Sequence, residues 1–404
     1  MLGPDSLLLT ALLIAASVAL LVAVVRLHPL AVRIACGTAT IMVAMAGGVA
    51  AVNYYYGYYM TWSALWADFH GGTGDLGVIS ATKTPALGSG HIGWTMLPGQ
   101  LSRYSRRGLV YLPPQYNQAR YAGLRFPVVE LFHGSPGSPL AWDTVLHISQ
   151  VADALLARHL IGPMVLVMPA INGGGRDYQD CVNGRGVSDE TYLLQDVRAD
   201  VLARYRVSRD PYQWGAAGYS SGGYCAANLA LRHPASFGAA AVLNGYFRAA
   251  DGPAGAALSR DPSLEAANSP LYLAARLQPG GGPFPAFWVA AGSHDKADYP
   301  PSKAFAAALN RVQQVPFVKL NAGDTANAWS AALPSALSWL WQQLAPPDLR
   351  VLFPVRSSGS YGLVTTLPVP PARPHRRGAC APPGAPGIAV LPCHKPGYPQ
   401  PGKV

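Results

Sequence analysis

The sequence predicts a three-layer α/β domain preceded by two transmembrane helices, and three observations support this prediction. Two long uncharged apolar runs stand at the amino terminus. From about residue 106 to residue 344, apolar strand-like runs alternate with helical patterns, which is typical of repeated βα units and a largely parallel sheet. Within that region, a Gly-x-Ser-x-Gly motif stands between a strand-like run and a helical pattern.

The two apolar runs span residues 6–25 and 34–52, close to the roughly 20 residues that a helix needs to cross a bilayer. Arg26 and Arg33 lie in the short segment between the runs, and basic residues favour the cytoplasmic side. The aromatic segment at residues 53–62 fits the interface between membrane and water. The sequence therefore predicts a cell-membrane protein with the lipid bilayer as a partner, whose remaining chain is extracytoplasmic.

Two alternatives to a membrane hairpin remain. A cleavable signal peptide normally has basic residues ahead of its apolar run, whereas the charged side chain found there is Asp5. The other alternative is a pair of core helices, although a soluble core does not need two consecutive uncharged helices of this length.

The chain carries a net charge of +10, although only 12% of its residues are charged. In a cytosolic protein such a basic balance would suggest nucleic acid, because basic surfaces attract phosphate polymers. On the outer side of a membrane, the same charge fits anionic lipid head groups or envelope polymers. We therefore expect no nucleic-acid partner.

The composition divides the chain into four segments: a two-helix anchor (1–62), a glycine-rich linker (63–100), the α/β domain (101–345) and a proline-rich basic tail (346–404). The tail lacks the apolar content that would offset its ordering entropy, so we expect it to be disordered or extended. Strand candidates occupy residues 108–112, 127–132, 164–168, 214–218, 239–243, 285–291 and 315–320, and helical patterns occupy residues 192–205, 223–232 and 301–311.

Residues 218–223 read Gly-Tyr-Ser-Ser-Gly-Gly and place Ser220 at the centre of the Gly-x-Ser-x-Gly motif. Small residues around the serine allow a sharp strand-to-helix turn that exposes its hydroxyl as a nucleophile. A His-Gly-Ser-Pro-Gly loop at residues 133–137 also follows a strand candidate, and its alternative interpretation is a simple turn. The two motifs predict the Ser135 and Ser221 amides as a pair of oxyanion donors.

Together with further segments, these motifs resemble the putative esterase family, which includes S-formylglutathione hydrolase and the mycobacterial mycolyltransferases. The further segments are residues 107–114, 190–193, 231–234 and 329–334. The resemblance implies an α/β-hydrolase fold and a serine–acid–histidine triad that transfers the acyl group of carboxylic esters or thioesters to water or to an alcohol. Such chemistry needs no cofactor and no metal, and the cysteines show no metal-ligand spacing.

The resemblance implies that the acid of the triad follows the strand candidate at residues 285–291, where Asp295 is the first choice and Asp298 the second. A surface-turn aspartate is the alternative interpretation. At the place of the histidine, residues 321–329 contain no imidazole, and Asp324 stands where the general base should be.

Three interpretations of this replacement compete. In the first, the domain is a catalytically disabled pseudoenzyme that binds a lipid, a glycan or a protein partner. In the second, His294 or His375 supplies the base. In the third, Asp324 itself serves as a weak base, with a pKa raised by burial. By ancestry the sequence favours a membrane-anchored serine esterase or acyltransferase that acts on acyl esters, lipids or envelope glycans.

The sequence has five cysteines, of which Cys36 lies in the second apolar run. The other four lie in a segment expected outside the cytoplasm, where disulfides persist, and they allow three pairings. We predict a Cys181–Cys225 disulfide, which would hold the helix after the nucleophile against a loop that borders the site. The alternative to that disulfide is a buried free Cys225. The second predicted pair is Cys380–Cys393.

Overall fold

The computed structural model describes residues 3–4, 6–27, 29–56, 62, 65–66, 79, 89–135, 137–171, 181–184, 186–252, 258, 261–280 and 284–356. The chain divides into two units, residues 1–369 and 370–404. The second unit lies outside the described residues, and so do His375 and the predicted Cys380–Cys393 pair.

Two apolar helices, α1 (Leu7–Arg26) and α2 (Leu30–Tyr56), confirm the predicted pair, and each is long and apolar enough to cross a bilayer. They pack closely, since a Cβ added at Gly47 of α2 would lie 3.4 Å from the Leu13 Cβ of α1. The connection is shorter than the sequence suggests. Arg33 lies in the first turns of α2, and its Nε donates a hydrogen bond to the Val24 carbonyl at 3.1 Å.

An eight-stranded sheet forms the centre of the α/β domain, with strand order β1-β2-β4-β3-β7-β8-β9-β10. Strands β1 and β2 are antiparallel to their neighbours, and all other pairs are parallel. The strands are β1 (His91–Pro98), β2 (Ser105–Leu112), β3 (Val128–Phe132), β4 (Val165–Met168), β7 (Trp214–Tyr219), β8 (Ala239–Leu243), β9 (Ala286–Gly292) and β10 (Phe317–Leu320), and a separate hairpin contains β5 (Asn183–Gly184) and β6 (Val187–Ser188).

Strand β1 lies in the last part of the segment that the composition assigns to the linker. It pairs along its whole length with β2, from His91 opposite Leu112 to Pro98 opposite Ser105. Its Trp94 side chain is buried in the core. Gly93 and the terminal proline interrupt the apolar alternation, so the sequence pattern does not reveal this strand.

Helices cover both faces of the sheet and confirm the predicted three-layer α/β fold. One apolar core contains residues of α4 and α11, and the other contains residues of the π-helical segment and α7. The helices of the domain are α3 (Ala141–Thr144), α4 (Ile148–Ala157), α5 (Asp189–Thr191), a π-helical segment (Tyr192–Val197), α6 (Arg198–Arg204), α7 (Ser221–Arg232), α8 (Pro262–Ala267), α9 (Pro270–Arg276), α10 (Tyr299–Leu309), α11 (Ala326–Leu344) and α12 (Pro347–Leu352).

Candidate active site

Ser220 stands at the sharp turn between β7 and α7, with φ 52° and ψ −123°. This left-handed backbone is costly for a residue with a side chain, and such strain is typical of functional sites. The turn needs glycine on both sides: a Cβ at Gly218 would lie 2.1 Å from the Gly222 carbonyl oxygen, and one at Gly222 would lie 2.0 Å from the Phe132 carbonyl oxygen. The Ser220 amide donates to the Leu243 carbonyl at 3.0 Å, which fixes the turn on the end of β8.

The His-Gly-Ser-Pro-Gly loop lies beside this turn, since a Cβ added at Gly134 would be 3.4 Å from the Ser220 Cβ. The buried His133 imidazole anchors the loop. Its Nδ1 lies 2.8 Å from the Gly134 carbonyl oxygen, and its Nε2 accepts a hydrogen bond from the Ile171 amide at 3.3 Å. These partners assign the proton to Nδ1, so the ring is a neutral structural group.

The Ser135 and Ser221 amides lie close to the turn at Ser220. Within the described part of the chain, neither the Ser135 N–H nor the Ser221 N–H donates to a protein acceptor. Ser221 is the first residue of α7, so its amide carries the positive end of the helix dipole. Both amides are therefore backbone donors near Ser220 without a protein acceptor among the described residues.

Asp324 lies beside Ser220. Its carboxylate accepts a hydrogen bond from the Trp329 indole Nε1 at 2.8 Å, and it is close enough to the Ser220 side chain for the two groups to interact. Burial, with smaller contributions from the charges of Asp295 and Asp298, raises the pKa of Asp324 to about 7, against the opposing effect of its polar contacts with Trp329 and Ser220. The residue at the expected place of the base is therefore a carboxyl group that titrates near neutral pH.

Asp295, Asp298 and Asp324 have carboxylate oxygens that all lie within 4.8 Å of one another. The first of them is oriented by the amides of Ala297, at 3.0 Å, and of Asp298, at 3.1 Å. Burial raises the pKa of Asp298 to about 6, with contributions from the charges of Asp295 and Asp251. These carboxylates are the cation-ligand candidates among the described residues, but all three are partly exposed and Asp324 already accepts a hydrogen bond from Trp329. We interpret them as an acidic environment around Ser220.

His294 does not join this cluster. Its side chain is exposed, and its backbone amide donates to the Ala322 carbonyl at 2.8 Å. Among the described residues, its imidazole makes no hydrogen bond to Ser220 or Asp324. The structure thus brings together the predicted serine, Asp324, Asp295 and the oxyanion loop, and it leaves this histidine outside.

Two contributions to the site escaped the sequence interpretation. The Trp329 indole donates to Asp324 from one helical turn further along, and its ring stacks on Tyr219 with centroids 4.3 Å apart. Asn244, at φ 48°, accepts a hydrogen bond from the Gly292 amide at 3.1 Å and joins the ends of β8 and β9. A tryptophan five residues after the expected base was a usable signal for the first contact, whereas nothing in the sequence pattern indicates the second.

The predicted Cys181–Cys225 disulfide is confirmed, with a Cα–Cα distance of 5.7 Å. It attaches the first turns of α7 to the segment that precedes β5. At the opposite end of the helix, Glu190 pairs with Arg232 and accepts a hydrogen bond from His233 Nε2 at 2.7 Å. The helix that begins at the nucleophile is therefore fixed at both ends.

Comparison with known proteins agrees with this geometry. The model of the putative esterase family matches residues 103–339, which is more than half of the chain. An uncharacterized protein of Corynebacterium glutamicum is 33% identical over 135 residues, which cover 33% of this chain and 31% of the relative. The match therefore spans about a third of that relative's length.

Solved structures show the same fold at low identity. A ferulic acid esterase superposes with a TM-score of 0.56 and 22% identity over 64% of this chain and 99% of its own. An S-formylglutathione hydrolase from Agrobacterium tumefaciens superposes with a TM-score of 0.55 and 16% identity. The superposition covers 67% of this chain and 100% of the hydrolase. The substrate-bound fluorophosphonate-binding serine hydrolase F of Staphylococcus aureus superposes with a TM-score of 0.54 and 19% identity. The superposition covers 63% of this chain and 99% of that hydrolase. The family match, the fold and the strained serine turn lead to one conclusion: the chain belongs to the putative esterase family.

Proposed function

We propose that this protein is a membrane-anchored serine esterase or acyltransferase that acts through Ser220 on carboxylic esters or acyl lipids outside the cytoplasm. The observation that carries the proposal is the strained turn at Ser220, where the serine side chain lies beside the Asp324 carboxylate and the Ser135 and Ser221 amides lie close by. A nucleophile, a proton acceptor and oxyanion donors together are what acyl transfer requires. This chemistry needs no cofactor.

The substrate class follows from the family and from the anchor. Two of the neighbours in structure carry the names ferulic acid esterase and S-formylglutathione hydrolase, which are an ester and a thioester activity. A domain held close to a bilayer would meet acyl lipids and acylated envelope glycans before soluble esters. We therefore propose an acyl donor of the envelope, with water or a glycan hydroxyl as the acceptor.

The anchor is proposed to be the α1–α2 hairpin. Its side chains are largely exposed and apolar, for example Val25 at 76% and Leu30 at 71%, which favours lipid as their surroundings. Arg26 ends the first helix and Arg33 lies in the first turn of the second, so positive charge stands at one end of the hairpin. Since basic residues favour the cytoplasmic side, the α/β domain would lie outside.

A fluorophosphonate probe tests the proposed nucleophile directly. The full-length protein in detergent is incubated with the probe, and the labelled peptide is identified by mass spectrometry. We expect the label on the peptide that contains Ser220 and its loss in Ser220→Ala. Ser102→Ala, which removes a buried hydroxyl outside the site, is the matched control and should label like the wild type. Labelling of Ser220→Ala at the wild-type rate would contradict the proposal.

A second candidate function is a binding protein derived from an esterase. The observation that favours it is the acidic residue in place of the imidazole beside Ser220, since imidazole gains and loses protons most readily near neutral pH. In that case the pocket or the tail would bind a lipid, a glycan or a protein partner. Labelling of Asp324→His together with an unreactive wild type would support this function against the enzyme.

A further inference from the structure

We propose that Asp324 is the general base and acid of a serine–aspartate dyad with Ser220, in place of the histidine that the family pattern leads one to expect. The inference rests on the proposed esterase function and deepens it. We call Ser220 and Asp324 the dyad.

The geometry places the carboxylate where a base must be. The Asp324 carboxylate lies close enough to the Ser220 side chain to interact with it, and Trp329, its hydrogen-bond partner, stacks on Tyr219 next to Ser220 with ring centroids 4.3 Å apart. The Trp329 indole donates to Asp324 Oδ1 at 2.8 Å and so orients the group from α11. In a triad, a carboxylate orients the histidine base. Here the neutral indole N–H of Trp329 orients the Asp324 carboxylate.

The surroundings adjust the basicity of this carboxylate. An ordinary aspartate, with a pKa near 4, is too weak a base to accept a serine proton efficiently. Burial is the largest cause that raises the pKa of Asp324 to about 7, near the ordinary value of histidine, and the charges of Asp295 and Asp298 act in the same direction. The charge of Asp251 in turn raises the pKa of Asp298. His294, on the loop after β9, is exposed to solvent.

This arrangement explains why Asp295 remains beside a base that is not an imidazole. In a triad, a carboxylate next to histidine stabilises the imidazolium and so increases the basicity of the ring. Beside Asp324 the same carboxylate increases basicity by repulsion between like charges. The acid of the family pattern therefore becomes a residue that raises the basicity of Asp324 through its charge, without touching the reacting atoms.

The reaction is balanced with these groups alone. As Ser220 Oγ forms a bond to the acyl carbon, its proton moves to Asp324, and the carbonyl electrons move to the oxygen held by the backbone amides. Collapse breaks the bond to the leaving oxygen, which takes the proton from Asp324 and departs as an alcohol. Water or an acceptor hydroxyl then attacks the acyl-enzyme and gives its proton to Asp324, from which Ser220 recovers it as the product leaves.

The test is the pH dependence of p-nitrophenyl acetate hydrolysis by the full-length protein in detergent. A base must be ionised, so kcat/KM of the wild type should rise with pH through about 7 and then level off. Asp324→Asn should lower kcat/KM by roughly 10²- to 10⁴-fold and remove the pH dependence. Asp348→Asn, on an exposed helical turn, is the matched control. It should retain the wild-type kcat/KM and its pH dependence.

Two results would overturn the inference, and they are distinguishable. If Asp324→Asn keeps the wild-type rate and profile while Ser220→Ala is inactive, Ser220 is a nucleophile with another base, and only the dyad is wrong. If Ser220 is never acylated and no fluorophosphonate label appears, the esterase function itself is wrong. Equal melting temperatures of wild type and Asp324→Asn exclude misfolding as the cause of a lost rate, and partial rescue by Asp324→His would support the dyad.

Discussion

Replacement of Asp295 by asparagine distinguishes a serine–aspartate dyad from a conventional triad. The carboxylate oxygens of Asp295 and Asp324 lie within 4.8 Å of each other. At that separation a unit charge contributes about 0.9 kcal/mol in water and about 3.5 kcal/mol at an effective dielectric constant of about 20. These energies correspond to roughly 0.6 and 2.5 pKa units. Asp295 is partly exposed, so we expect a value near the lower end.

Asp295→Asn should therefore move the midpoint of the kcat/KM profile from about 7 to lower pH by roughly half a unit or more. The rate on the plateau should change little. Asp251→Asn removes an equal charge that acts on Asp298, and as the matched control it should produce a smaller shift. The assay is p-nitrophenyl acetate hydrolysis between about pH 5 and pH 9, with the protein in detergent.

A triad gives a different result for the same substitution. Loss of the acid that orients a histidine typically lowers kcat by about 10⁴-fold. A loss of this size, or an unchanged midpoint, would refute the reasoning that Asp295 acts on Asp324 through its charge.

Three further predictions concern the surroundings of the dyad. Trp329→Phe removes a hydrogen bond to the ionised carboxylate, so the midpoint of the pH profile should rise by roughly one to two units; an unchanged midpoint would contradict this role. Replacement of Cys181 and Cys225 by serine opens a 44-residue loop and should lower the free energy of unfolding in urea by up to about 4 kcal/mol, whereas an unchanged urea midpoint would refute it. Gly222→Ala should abolish fluorophosphonate labelling because its Cβ would collide with backbone, whereas Gly123→Ala meets no atom within 4 Å and should label normally.

Much of the fold followed from the sequence because its signals are local. The strand candidates at 214–218 and 239–243 correspond to β7 and β8, since continuous apolar runs between turn residues are typical of buried parallel strands. The glycines on both sides of Ser220 indicated a turn that only glycine permits, and the close backbone contacts give the reason. The Cys181–Cys225 pair followed from the expected compartment and from the positions of the cysteines.

The remaining features depend on contacts between distant segments, which no local pattern contains. Strand β1 is formed by its pairing with β2, and its own residues include a glycine and a terminal proline that argue against a strand. The basicity of Asp324 arises from burial and from Asp295 and Asp298, which lie on another loop. The sequence therefore pointed to Asp324 at the expected place of the base, whereas the chemical role proposed for it depends on the three-dimensional arrangement.

The most direct test of the central claim is to trap the acyl-enzyme. The full-length protein is mixed with p-nitrophenyl acetate at about pH 8, quenched with acid and analysed by peptide mass spectrometry. At that pH most of the Asp324 carboxyl groups, with a pKa of about 7, are ionised and able to accept the proton. We predict one acetyl group on Ser220 in the wild type, little in Asp324→Asn and none in Ser220→Ala. Acetylation of Asp324→His alone, with an unmodified wild type, would contradict the claim that Asp324 activates the nucleophile.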